Sequence, residues 1–177
     1  VCIEGIRAAG QILRGKYYYD FYKSEGTSTC QWYRNGVPIS GATGIQYTLL
    51  QNEDIDSNAN ITFEVTPRSS NIPAKTGTPV LSDPLSRIIM PKDVYSVSEG
   101  NVVISANVSG GVFSGTGVTG NIFSPKAAGS ETSPHTISYL LNIVRPEHNC
   151  SQQSSKIVSV NPNVSSFVGF DPLYCHD

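Results

Sequence analysis

The stretch from Thr29 to Val65 constrains the fold of this chain more than any other. It reads Thr29-Cys30-Gln31-Trp32-Tyr33-Arg34-Asn35-Gly36 and, further on, Ile61-Thr62-Phe63-Glu64-Val65-Thr66. Side chains alternate between the two faces of a strand, so Cys30, Trp32 and Arg34 share one side and Tyr33 takes the other. Asn35-Gly36 supplies the two residues that tolerate the positive φ angles of a tight hairpin turn. Ile61, Phe63 and Val65 alternate with Thr62, Glu64 and Thr66, the pattern of a strand with one buried face. The chain's one tryptophan is therefore expected in a core, with Phe63 or Val65 and Tyr17 or Tyr19 against it. The Phe63 strand is expected to come from the opposing layer.

The remainder of the chain repeats this pattern of short strands. Val1 to Ile6, Leu13 to Tyr19, Ile45 to Leu50 and Gly77 to Leu81 are further strand candidates, and no segment offers a helix of ten or more residues. Sixteen glycines and eleven prolines among 177 residues suit many strands joined by turns. The expected class is all-β, with a buried Trp between two layers in the manner of an immunoglobulin-like sandwich. Residues 1–82 form the first such domain and 83–89 a short linker. Residues 90–162 form the second: Val102, Ile104, Ala106 and Val108 alternate, and Ile137, Tyr139, Leu141 and Ile143 line one face of a long strand. Lys156 to Val160 is its last strand. Residues 163–177 read as the start of a further repeat, because Leu173-Tyr174-Cys175 echoes Val94-Tyr95-Ser96, or as a C-terminal strand.

Composition narrows the function classes. Charged residues are 15% of the chain, below the roughly 25% of an average globular protein. A net charge of −2 gives no steering toward nucleic acid or an anionic membrane. No window approaches the roughly 20 apolar residues of a membrane-spanning helix. With no charged-then-apolar leader, the chain reads as mature or as a piece of a longer protein.

Two resemblances follow from ordered motifs. Gly15-Lys16-Tyr17-Tyr18-Tyr19-Asp20, Glu25 to Gly36, Ile39-Ser40-Gly41-Ala42-Thr43, Tyr47-Thr48-Leu49 and Ile61 to Pro67 resemble a bacterial Ig-like repeat found in tandem in large secreted and cell-surface proteins. Cys30 departs from that pattern, which usually has an aromatic residue just before Gln-Trp. The run Gly111 to Gly115, Gly117 to Pro125, Ala128-Gly129, His135 to Tyr139 and Asn149-Cys150-Ser151 is similar to a repeat of very large surface adhesins of gliding Bacteroidetes. These resemblances imply two tandem Ig-like sandwiches displayed outside the cell, in contact with neighbouring repeats of the same chain.

The cysteine expectations rest on the second resemblance. In that repeat a cysteine beside the first-strand Tyr accompanies one near the last strand. Cys150 fills the later position, Ser96 the earlier one, and Cys175 the earlier position of the following repeat. Cys150 and Cys175 are thus left without mates, and a Cys150–Cys175 bridge is expected in an oxidising compartment. Cys2–Cys30 is the other candidate pair, though alternation aims Cys2 with Glu4, away from the core that Cys30 faces.

Other chemistry finds little support. Gly115-Thr116-Gly117-Val118-Thr119-Gly120 satisfies G-x-G-x-x-G, but a dinucleotide site needs a helix starting there, and the surroundings are strand. A glycine-rich hairpin turn is the reading, and no cofactor is expected. His135, His148 and His176 lack zinc-site spacing. Glu53, Asp54 and Asp56 lack the central Gly and final Glu of a calcium loop and read as a solvated acidic loop. Asn60, Asn107, Asn149 and Asn163 begin sequons that a Thr/Ser-rich chain carries by chance. Tyr18, Tyr22 and Tyr33 are the candidate ligand-facing aromatics, since an exposed tyrosine can stack on a sugar ring or anchor a partner. Their plainer reading is that they border a neighbouring strand or domain. The functional expectation is a non-catalytic adhesion or spacer module in an extracellular array, with surface polysaccharide or a substratum ligand as partner. The alternative is an accessory or carbohydrate-binding module of a secreted polysaccharide-degrading enzyme.

Overall fold

The computed structural model describes residues 1–19, 24–71 and 73–163. The expected further repeat at 163–177, including the Leu173-Tyr174-Cys175 echo, lies outside the described residues from 164 onward, as does Tyr22.

The alternating segments become strands where the sequence places them. The first half contains β1 (Cys2–Arg7), β2 (Ile12–Lys16), β3 (Thr29–Arg34), β4 (Val37–Pro38), β5 (Gln46–Thr48), β6 (Ile61–Thr66) and β7 (Val80–Leu81), with a π-helical turn at Gln51–Asp56. The second contains β8 (Ile88–Ile89), β9 (Val94–Ser96), β10 (Val102–Val103), β11 (Ser105–Ala106), β12 (Val112–Ser114), β13 (Val118–Thr119) and β14 (Ile122–Phe123). It is completed by a helical turn α1 (Pro125–Ala128) and the long hairpin β15 (His135–Val144) and β16 (Asn149–Asn161). The fold is all-β and sandwich-like, built from several sheets.

Two apolar clusters form two cores. The first gathers Ile3 from β1, Leu13 from β2, Trp32 from β3, and Ile61, Phe63 and Val65 from β6. The second gathers Tyr95, Ile104 and Phe123 with Ile137, Tyr139, Leu141, Val158 and Val160 from β15 and β16. Trp32 is fully buried, its ring 4.8 Å from Phe63 and 5.7 Å from Tyr47, and its indole N–H donates to Gly44 O at 2.9 Å. The expected burial of Trp32 holds, but Phe63 does not come from the opposing layer. β3 and β6 are hydrogen-bonded neighbours with Trp32 directly opposite Phe63, so the two rings lie side by side on one face. The opposing layer is β1, β2 and β5, and Gly15 on β2 leaves the space that Phe63 occupies. A Cβ there would stand 2.2 Å from the ring.

The Asn35-Gly36 turn forms as expected, with φ of 51° and 79°. The glycine-rich segment is also a turn: β13 and β14 pair in a hairpin through Gly120 at φ 59°. Val102 to Val108 is less simple than its alternation. β10 pairs with β14, β11 pairs with β8, and the chain changes sheets at Ile104.

The sheet that joins the halves could not be read from any local pattern. Its order is β12-β15-β16-β1-β2-β5, with β9 pairing to the far end of β16. β16 is longer than the expected Lys156–Val160 strand. Its first half pairs in parallel with β1 (Gly5 opposite Gln152), and its last residues pair in parallel with β9. One strand therefore serves both cores. Residues 83–89 follow the same seam rather than hanging free. Leu85 is buried in the first core and Ile88 in the second, while the Ser86 amide donates to the Gln152 side chain at 2.7 Å.

Candidate functional site

At the joint between the cores, β1, β16 and the connecting segment meet. Cys150, Gln152 and Ser154 alternate with exposed Ser151, Gln153 and Ser155 on β16, and all three are buried. Polar groups at inward positions must find partners. Gln152 is fully buried and finds two: its Oε1 accepts from Ser86 N, and its Nε2 donates to Ile3 O at 3.1 Å. One amide side chain thus binds the first strand, the connecting segment and the last strand together.

Cys150 is disulfide-bonded to Cys2 with a Cα–Cα separation of 6.2 Å. This corrects both expected pairings. Cys30 stands on β3 in the other sheet as a free, half-buried thiol, and Cys175 lies outside the described residues. Cys2 and Cys150 meet because β1 and β16 are direct neighbours, which brings their Cα atoms into the usual 4.4–6.8 Å disulfide range. Burial, and then the nearby Glu25 carboxylate, push the Cys30 thiol up, so little of it is thiolate at neutral pH.

In the acidic segment Glu53 and Asp56 are exposed as a solvated loop would have them, but Asp54 turns inward. Asp54 is fully buried, and its carboxylate accepts from Arg34 Nε at 2.7 Å, Tyr47 Oη at 2.7 Å and the Leu50 amide at 2.7 Å. Glu53 pairs with Arg34 Nη1 at 2.5 Å. The π-helical turn places Asp54 inward, where Arg34 arrives from the Trp32 face of β3. Burial and the hydrogen bond to Asp54 raise the Tyr47 phenol to about 12. Beside this network, Tyr47, Glu53 and the β3–β4 turn line an open cleft of about 820 Å³.

The tyrosines divide. Tyr18 is exposed and, with the half-buried Tyr19, lines a cleft of about 560 Å³ shared with Pro67, Asn71 and Lys75. Alternation expects Tyr19 inward, yet β2 ends at Lys16 and frees it to reach this cleft. Tyr17 keeps to the core edge, its hydroxyl donating to Glu25 at 2.8 Å, and burial with that bond raises its phenol to about 12. Tyr33 is not brought to the cleft. It is half-buried on β3, and its hydroxyl donates to Glu64 at 3.0 Å.

Among the described residues no group of three or more His, Cys, Asp or Glu side chains could hold a metal ion. His135 opens β15 with its ring bonded to Gly129 O at 2.7 Å, while His148 lies in the turn at the other end of that hairpin. No helix among the described residues is long and apolar enough to cross a membrane. The chain matches no protein-family model, no curated protein and no solved structure at a significant level.

Proposed function

We propose that this chain is a non-catalytic segment of a bacterial cell-surface repeat protein, two tandem Ig-like sandwiches serving as adhesion and spacer modules in an extracellular array. The observation that carries this reading is the Cys2–Cys150 bridge at the joint. It spans a sequence separation of 148 residues and encloses nearly all of both cores. Tension entering at the N-terminus passes through that bridge to Cys150 and bypasses residues 3–149, leaving β16 beyond Cys150 under load. A module that transmits load between a cell and a surface gains from such a path, and an oxidising exterior is where a structural disulfide persists. Neighbouring repeats and a surface polysaccharide or substratum ligand are the partners, and no catalysis is assigned.

Force spectroscopy on the chain pulled from its ends tests the load path. The oxidised protein is expected to release only the residues outside the bridge, β16 beyond Cys150 among them. Reduction is expected to add roughly 500 Å, the 148-residue separation at roughly 3.5 Å per residue. Equal extension in both states refutes the load path. Antibody against the chain is further expected to label intact, non-permeabilised source cells. Labelling only after permeabilisation, or turnover in screens of ester, glycoside and peptide substrates, refutes the surface, non-catalytic role.

The Tyr18–Tyr19 cleft supports a second reading, an accessory carbohydrate-binding module of a polysaccharide-degrading enzyme. Two tyrosines beside Asn71 and Lys75 offer an aromatic platform with polar groups at its edge, the composition that suits a sugar ring. Glycan-array binding lost in Tyr18→Ala would favour it, and an empty array would remove it.

A further inference from the structure

Between the two cores, opposite the disulfide end of the seam, lies a cleft of about 510 Å³ lined from both halves of the chain. Two guanidinium groups line it. Arg7, on β1, is 8% exposed, and its Nη2 donates to Asp54 O at 2.8 Å and Ala59 O at 3.0 Å. Arg87, from the connecting segment, donates its Nη1 to Asn58 O. The two cations are therefore anchored on consecutive carbonyls of one loop. Each keeps a buried N–H with no acceptor, Nη1 of Arg7 and Nε of Arg87. Ser154, opposite Arg7 in the β1–β16 register and 1% exposed, has a buried hydroxyl that is likewise without a partner.

Asp56 and Asp93 also line the cleft, and Asp54 lies in the loop beside it. The Asp54 carboxylate is held by Arg34, Tyr47 and Leu50 N. Asp56 accepts from Gln51 at 2.6 Å, and Asp93 pairs with Lys156 at 2.7 Å. Buried Arg7 and half-buried Arg87 thus line one cleft, each with an unpaired N–H, and a buried charge that is incompletely compensated is costly. Burial, and next the charge of Arg87, lower the Arg7 guanidinium to about 10, with Asp54 offsetting only part of this. Guanidinium forks are the groups best matched to tetrahedral oxyanions.

We propose that this cleft is a binding site for a tetrahedral oxyanion, phosphate or sulfate, held by the free N–H groups of Arg7 and Arg87 and by the Ser154 hydroxyl, and that its occupancy locks the two cores together. The anion comes either free from solution or as a sulfate ester on a polysaccharide, since the chemistry of recognition is the same.

Inorganic phosphate titrated into the 177-residue chain by calorimetry, with chloride at matched ionic strength as reference, tests the site. Saturable binding and a rise in melting temperature at millimolar phosphate, absent in chloride, are expected. Arg87→Gln, which leaves the Arg7 anchors in place, is expected to weaken binding about tenfold or more through loss of a charge-assisted contact. Because Arg7 variants risk misfolding, the second measurement is the Arg87 Nε–H resonance, which is expected to shift with phosphate and to report the contact without mutation. A dextran sulfate arm separates the sources. Competition with phosphate assigns the site to a polymer-borne sulfate, and phosphate binding without competition assigns it to the free ion. No saturable phosphate effect, the same effect in Arg87→Gln, or an unmoved Arg87 resonance overturns the proposal.

Discussion

Removing the Cys2–Cys150 bridge with the pair Cys2→Ala and Cys150→Ala is the perturbation that bears most directly on the joint. The bridge spans 148 residues, and a loop of that size loses roughly 17 cal/mol/K of unfolded-state entropy, about 5 kcal/mol at room temperature. Both cysteines are almost fully buried, so the lost sulfurs leave small voids that add about 1 kcal/mol. Residual structure in the denatured chain subtracts from the entropic part, which sets the expectation at about 3–5 kcal/mol. A marginally stable domain has about 5–15 kcal/mol in all, so the change is large. Urea unfolding followed by the fluorescence of Trp32 reads the first core, and tyrosine signals from the Tyr95–Tyr139 core read the second. Coincident transitions are expected for the oxidised chain, and separated, earlier transitions for the variant. A loss below about 1 kcal/mol would refute the assignment of the bridge as the main tie between the cores, leaving the β1–β16 ladder and Gln152 sufficient.

Further outcomes follow from single residues. Gly15→Ala drives a methyl into Phe63, whose ring is backed by Trp32, and is expected to cost about 1–3 kcal/mol in urea unfolding. Gly100→Ala meets nothing within 4 Å and is expected to stay within about 0.5 kcal/mol of wild type. Asp54→Ala leaves Arg34 and Tyr47 without their buried acceptor and is expected to cost about 3 kcal/mol, read by the same assay. Ultraviolet titration of phenolate is expected to show a late class near pH 12 that shrinks in Tyr17→Phe and in Tyr47→Phe. These phenols are raised in the folded state, so their contribution is fully present below pH of about 10 and is lost as pH climbs from about 10 to about 12.

Most strands, both turns and the two apolar cores were legible in the chain because each depends on residues close together in sequence, whereas the split of Val102–Val108 between two sheets and the full length of β16 were not. Trp32 between Cys30 and Arg34, Ile61 to Val65, and Ile137 to Leu141 declare their buried faces through period-two alternation alone. Asn35-Gly36 declares its turn through the φ angles those residues tolerate. The joint was not legible, because it is made by β1 and β16 from opposite ends of the described chain. On β16, Cys150, Gln152 and Ser154 alternate as cleanly as any apolar strand, yet a polar run reads as a loop until a neighbour arrives to satisfy it. Asp54 was misread for the same reason. Three acidic residues in a row of polar ones suggest water, and only the arrival of Arg34, Tyr47 and the Leu50 amide makes burial tolerable for one of them. Cysteine pairing likewise depends on which strands become neighbours. Local pattern thus marked the apolar faces that turn inward, while the docking of distant strands decided which polar residues, Asp54 and Gln152 among them, would be buried and what each would meet there.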